Sequence, residues 1–226
     1  NNIDALRFMG ILAFKSGNHD IAEAMFTRAL KLDPTYSLVW ANLGQVFSVT
    51  GQLDKAKKSF KNILNMEPNN ALIWAEYGTV LTKLAKYKEG RDAYLKALEF
   101  KPDSPRVHLS LGHVFKTMGE IDNSIDAYKK TIIKNNLSGE AYWSLANLKT
   151  YSFSENEIKD MEKTLEGDMS DIERSQMYFA LGKAYEAKKD FDNSFKNYYK
   201  GNKAKKSLIK YSSDDTTQNT KRILKF

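Results

Sequence analysis

The sequence predicts an all-α protein: a solenoid of about six helix-turn-helix repeats followed by a C-terminal helix. Three observations predict it. A mixture of large, small and helix-stopping residues returns at a fixed period of 34. Trp40, Leu43, Gly44, Phe47, Ala56, Phe60 and Pro68 recur one period later as Trp74, Tyr77, Gly78, Leu81, Gly90, Tyr94 and Pro102. They recur one period earlier as Leu6, Met9, Gly10, Ala13, Ala22, Phe26 and Pro34. Each period reads as two amphipathic helices, A and B, with a tight turn between them. No segment reads as a strand.

With the first small residue of each period numbered as position 8, four regular repeats cover 3–36, 37–70, 71–104 and 105–138. Gly10, Gly44, Gly78 and Gly112 stand at position 8. Glycine inside a helix costs about 1 kcal/mol against alanine, so its recurrence marks a close approach of helix A to helix B. Ala22, Ala56, Gly90 and Ser124 at position 20 supply the facing small residue. Phe26, Phe60, Tyr94 and Tyr128 at position 24 are expected to fill the space between successive units. Gly17, Gly51 and Gly119 suit a left-handed end to helix A, and Pro34, Pro68 and Pro102 close helix B. The fourth repeat departs from this pattern, with His108 in place of the tryptophans and Asn136 in place of the prolines. A histidine at an interior packing position reads as structural.

The fifth unit, 139–174, is degenerate. A clear helix A runs through GEAYWSLANLK, and then TYSFSENE replaces the usual turn. Ser154 with Glu157, and Ser170 with Glu173, are capping-box pairs that each open a helix. Ile158, Met161 and Leu165 give the first of these an apolar face. Tyr178, Leu181, Gly182, Tyr185, Phe191, Ser194 and Tyr198 carry a sixth repeat over 175–208. Residues 209–226 read as a polar linker and a short capping helix.

This 34-residue pattern resembles the tetratricopeptide repeat, which implies a right-handed superhelix with a concave binding face. A second resemblance is narrower. Ala141-Tyr142-Trp143-Ser144-Leu145-Ala146-Asn147-Leu148-Lys149-Thr150, Phe179-Ala180-Leu181-Gly182-Lys183-Ala184 and Gly201-Asn202 resemble the junction region of bacterial sulfotransferases that carry an N-terminal repeat array. Repeat packing is not expected to demand Asn147-Leu148-Lys149-Thr150. The resemblance implies the non-catalytic half of such an enzyme. The phosphate loop of the enzyme half, G-x-x-x-x-G-K-[ST] and G-x-G-x-x-G are all missing from the sequence. No catalytic, cofactor-binding or metal-binding residue is therefore assigned, and no cofactor is expected in this chain. The alternative is a free-standing scaffold or adaptor with no attached enzyme.

In the superhelix that the resemblance implies, helix-A positions 2, 5, 9, 12 and 13 line the concave face. They include Arg7, Ile11, Phe14 and Lys15, then Leu38, Gln45 and Val49, then Thr79 and Lys83. Arg106, His113, Lys116, Trp143 and Asn147 follow. The expected partner is a peptide or protein segment in this groove. The carboxylate clamp of chaperone adaptors does not fit, because its positions hold Arg7, Ile11, Asn42, Leu72 and Glu76. An asparagine ladder does not fit either, since Asn42 alone occupies position 6. Trp143 adjoins Tyr142, which fills the structural position 4. Neighbours on a helix point about 100° apart, so Trp143 is expected to face the groove or to pack on Tyr151–Phe153.

Composition bounds the rest. Hydrophobic residues make up 42% of the 226, and no apolar run approaches the ~20 residues of a membrane span. The chain starts with Asn1-Asn2 rather than Met, so a fragment is expected. The absence of cysteine excludes disulfides and thiolate chemistry and agrees with a reducing, cytoplasmic setting. From Lys183 onward 12 Lys/Arg face 5 acids, which accounts for the whole +7 surplus. Those lysines lie largely on one predicted helix without a base-reading motif, so no specific nucleic-acid partner is expected.

Overall fold

The computed structural model of the chain describes residues 2–208. Twelve helices are found there, and no strand among the described residues. They are α1 (Ile3–Lys15), α2 (His19–Leu32), α3 (Ser37–Val49), α4 (Leu53–Met66), α5 (Ala71–Lys83) and α6 (Tyr87–Phe100). Then come α7 (Pro105–Met118), α8 (Ile121–Lys134), α9 (Gly139–Ala146), α10 (Glu155–Leu165), α11 (Asp171–Ala187) and α12 (Phe191–Leu208). The architecture is an all-α helical-repeat solenoid, as predicted. The described residues up to 130 form one compact unit and those from 131 onward a second. The expected linker and capping helix over 209–226 lie outside the described residues.

In the first unit each A helix packs on its own B helix, and each B helix on the next A helix. The position-8 glycines make the first contact possible. A Cβ on Gly10 would stand 2.6 Å from the Phe26 ring, on Gly44 2.8 Å from Phe60, on Gly78 2.9 Å from Tyr94, and on Gly112 2.4 Å from Tyr128. The position-24 aromatics therefore fill the gap within a repeat, where the sequence reading placed them between repeats. Phe26, Phe60 and Tyr128 are at most 1% exposed, and burial of such side chains stabilises by about 2–3 kcal/mol each. Position 20 faces the same spot: Ser124 Oγ donates to the Gly112 carbonyl at 2.9 Å.

Successive repeats are clasped by one recurring bond. Trp40 Nε1 donates to the Pro34 carbonyl at 2.8 Å and Trp74 Nε1 to the Pro68 carbonyl at 2.7 Å. His108 Nε2 meets the Pro102 carbonyl at 2.9 Å. His108 is thus a structural substitute for tryptophan, as the sequence predicts, in the tautomer that keeps its proton on Nε2. The A-to-B turns run through left-handed backbone at Gly17, Gly51 and Gly119 (φ 77–79°). The third repeat imposes the same conformation on Ala85 (φ 58°), and the sixth on Lys189 (φ 62°).

The second unit is built differently. Helix α9 has 8 residues against 13 in α1, α3 and α5, and it packs on α11 rather than pairing with α10. A Cβ on Gly139 would lie 2.2 Å from the Glu173 carbonyl oxygen, so α9 and α11 meet backbone to backbone. Helix α10 starts at the predicted capping box of Ser154 and Glu157. The second box forms its first half, Ser170 accepting from the Glu173 N–H, while the Gly139 N–H goes to the Leu137 carbonyl at 2.8 Å. The expected boundary between 174 and 175 falls inside α11, which begins four residues earlier, at Asp171. Helices α11 and α12 restore the regular hairpin. A Cβ on Gly182 would meet Tyr198 at 2.8 Å, and Ser194 Oγ donates to the Gly182 carbonyl at 2.8 Å.

Candidate functional site

The A-helix faces of the first unit adjoin one another across repeats. Lys83 Nζ donates to Ser48 Oγ at 3.3 Å, from α5 to α3. Arg106 Nη2 pairs with Glu76 Oε1 at 2.6 Å, from α7 to α5. On this shared face stand large aliphatic side chains that water reaches: Leu38 is 53% exposed, Val49 61% and Leu72 63%. Gln45, Lys83 and Lys116 are exposed beside them. Lys15, Leu38, Gln45, Val49, Lys83, Arg106 and Lys116 are therefore the accessible part of the predicted set.

Other predicted residues are committed to the fold. Ile11 and Phe14 are half-buried and pack against the core of the first repeats, and the Phe14 ring lies 5.4 Å from that of His19. Arg7 is half-buried, its guanidinium 4.7 Å from the Phe8 ring and 6.0 Å from that of Tyr36. Thr79 and His113, both at position 9, each meet a position-24 tyrosine hydroxyl. Thr79 Oγ1 lies 3.0 Å from Tyr94 Oη, and His113 Nδ1 2.9 Å from Tyr128 Oη. A tyrosine rather than a phenylalanine at position 24 thus brings its hydroxyl out to the helix-A surface. That hydroxyl was the missed sequence signal for the cavity of about 240 Å³ beside His113, lined also by Tyr87, Tyr94, Ser110 and Thr117.

In the second unit Trp143, expected to face the groove or to pack on Tyr151–Phe153, is half-buried and has a ring neighbour on the next A helix. Its ring lies 5.6 Å from Phe179 of α11, while Tyr142 takes the contact with Phe153 at 6.5 Å. The Trp143–Phe179 contact follows from the direct packing of α9 on α11. A Cβ on Gly201 of α12 would meet the same Phe179 ring at 2.9 Å. Three separated stretches thus converge on one aromatic cluster. Asn147 caps α9, its Nδ2 donating to the Trp143 carbonyl at 2.7 Å, and Leu148 is buried. Both residues therefore have a local structural role, while Lys149 and Thr150 are exposed.

Tyrosine–glutamate bonds hold the displaced α10. Tyr151 donates to Glu157 and Tyr185 to Glu162 at 2.6 Å. Arg174 donates to the carbonyls of Leu165 and Gly167 at 2.8 and 3.0 Å, closing the C-terminal end of α10. Burial, reinforced by the adjacent carboxylate, pushes Tyr185 up to about 12 and raises Tyr151 and Tyr198 well above the usual phenol range. Burial also pushes Tyr142 up to about 12. Where α9 stops short, a cavity of about 300 Å³ opens, lined among others by Lys149, Tyr151, Phe153, Lys183 and Glu186. Among the described residues no helix is long and apolar enough to cross a membrane, and no His/Asp/Glu group has metal-site geometry.

Family models described as tetratricopeptide repeat match residues 13–75 and 175–208, and one described as TPR repeat matches 78–119. No curated protein matches the sequence. Among solved structures, PilF of Pseudomonas aeruginosa is 20% identical with a TM-score of 0.67, covering 86% of this chain and 88% of its own. A crystal structure of MamA is 22% identical with a TM-score of 0.58, covering 90% of this chain and 98% of its own. At these identities the likeness concerns the fold. The glycine–aromatic packing at a 34-residue register and the matched family models agree: the chain is built from tetratricopeptide repeats.

Proposed function

We propose that the chain is a non-catalytic module that binds a peptide or protein segment along the helix-A face of its first four repeats. One observation carries this reading: Leu38, Val49 and Leu72 are each more than half exposed on a single face. Isolated exposed leucines are ordinary, but a row of them with cations alongside suits an extended segment bearing apolar and acidic side chains. Few contacts dominate such interfaces. The module works without cofactor or metal, in the cytoplasm. The test is a peptide-array screen with the purified chain, repeated with Leu38→Glu/Leu72→Glu. Loss of the selected peptides, by about tenfold or more, with an unchanged melt is the expected result. Binding that survives both substitutions refutes the assignment.

The module serves a sulfotransferase domain further along a longer chain. The support is that all three stretches resembling those enzymes meet at Trp143, Phe179 and Gly201. The same cluster has a packing role of its own, which favours a free-standing scaffold equally. The reading frame beyond residue 226 separates the two: a strand followed by a phosphate loop supports the enzyme, and a stop codon at that point supports the scaffold. Residues 1–226 alone should not turn over a labelled sulfate donor.

A further inference from the structure

A repeat in a solenoid cannot bury its faces alone, and terminal repeats ordinarily carry polar outer faces. Here the outer face of the first described repeat is apolar. Met9 and Leu12 of α1 are 57% and 68% exposed. They occupy positions 7 and 10, where Leu43 and Val46, and Leu111 and Val114, are buried. Ile21 of α2, at position 19, is 54% exposed. The outer face of α12 is apolar too. Phe191, Phe195 and Tyr199, spaced i, i+4 and i+8, are 67%, 71% and 63% exposed.

The first unit shows how such faces meet. Position 21 of one repeat contacts positions 16 and 19 of the next: Glu23 pairs with Lys55 at 3.6 Å and accepts from Gln52 at 3.4 Å. Arg91 pairs with Glu120 in the same register at 3.6 Å. At the two ends of the chain the corresponding residues are Phe195 at position 21 and Ile21 at position 19. The polar pair of the interior is replaced by an apolar pair on the same register. Exposed Lys196 adjoins Phe195, and exposed Asp20 adjoins Ile21, so the charges beside the two apolar faces are opposite as well. We propose that a second copy of this chain docks its α1–α2 edge on the α12 face of the first, with Phe195 against Ile21, Met9 and Leu12. Such a contact is heterologous: each copy keeps one edge free for another.

The test is sedimentation of the full chain across concentration, with Phe195→Glu and Leu12→Glu as single variants. Both sites are solvent-exposed, and thermal melts check that each variant folds. The wild type should rise above the 25.8 kDa monomer mass as concentration increases. Each variant alone should lose all association, since one of its two edges is blocked. Mixing the two variants should give a 1:1 dimer that grows no further, because one supplies an intact α12 and the other an intact α1. A monomeric wild type overturns the proposal, as does either single variant that still self-associates. A photo-crosslinker at position 195 gives an independent readout. Adducts to residues 9–21 of another copy support the contact, and adducts to residues 209–226 of the same chain overturn it.

Discussion

In the first unit every B helix lies along its own A helix, and an aromatic ring occupies the space each glycine leaves. In the second, α9 is five residues shorter, its natural partner α10 is displaced, and α11 moves into contact with α9. The means of fixation change accordingly. Helices α2, α4 and α6 each bury four or five residues, including Phe26, Phe60 and Tyr94, while α10 buries only Ile158 and Met161. Tyrosine–carboxylate bonds and the Arg174 cap supply what apolar contact does not. A helical repeat can therefore lose its internal pairing and remain in the stack, provided that the next A helix closes on the last one and polar anchors retain the stray helix.

The sharpest test of this contrast is a pair of alanine substitutions. At Gly44 the new methyl would meet the rim of the Phe60 ring, which can shift. At Gly139 it would meet the Glu173 backbone, which cannot move without separating α9 from α11. Gly139→Ala should cost about 3 kcal/mol and Gly44→Ala about 1 kcal/mol, read from urea unfolding. Equal losses would show that the α9–α11 approach is no more rigid than a ring contact.

The second test uses pH. The four tyrosines pushed furthest up, Tyr142, Tyr151, Tyr185 and Tyr198, all lie in the second unit. A phenol whose value is raised on folding contributes stability that is complete below its unfolded value, about 10, and is lost as pH climbs through the folded one. The second unit should thus weaken selectively from about pH 10 upward. Tyrosinate absorbance at 295 nm should show these four ionising late, together with unfolding. Ionisation of all 12 tyrosines in one early phase would contradict it.

The smallest effect concerns the turns. Ala85 and Lys189 hold a left-handed conformation that costs an ordinary residue about 1–2 kcal/mol, partly offset by the entropy glycine loses on folding. Ala85→Gly and Lys189→Gly should each raise stability by about 0.5 kcal/mol. Gly17→Ala should do the reverse, as thermal melts of the three variants would show.

What the sequence made legible was whatever repeats. Gly10, Gly44, Gly78 and Gly112 announced close helix contacts because no other reason keeps glycine in a helix at a fixed period, and Ser154 with Glu157 announced the start of α10. Ala85 and Lys189 announced nothing, since the hairpin imposes their backbone conformation and their own preference opposes it. The ring neighbour of Trp143 was not legible because Phe179 is remote in sequence and comes within reach only through the packing of α9 on α11. On the candidate surface, exposure of Leu38 and Val49 followed from helical register. The engagement of Thr79 and His113 by tyrosine hydroxyls depended on distances that register does not give.

The clasp between a ring N–H and a proline carbonyl has an optical consequence. His108 demonstrates that imidazole can take the indole's place there and still reach the carbonyl. Trp40→His together with Trp74→His would keep both clasps and leave Trp143 as the sole indole of the chain. Because Trp143 lies beside Phe179, its emission would then report on the α9–α11 contact alone, giving the irregular end of the array a fluorescence signal of its own.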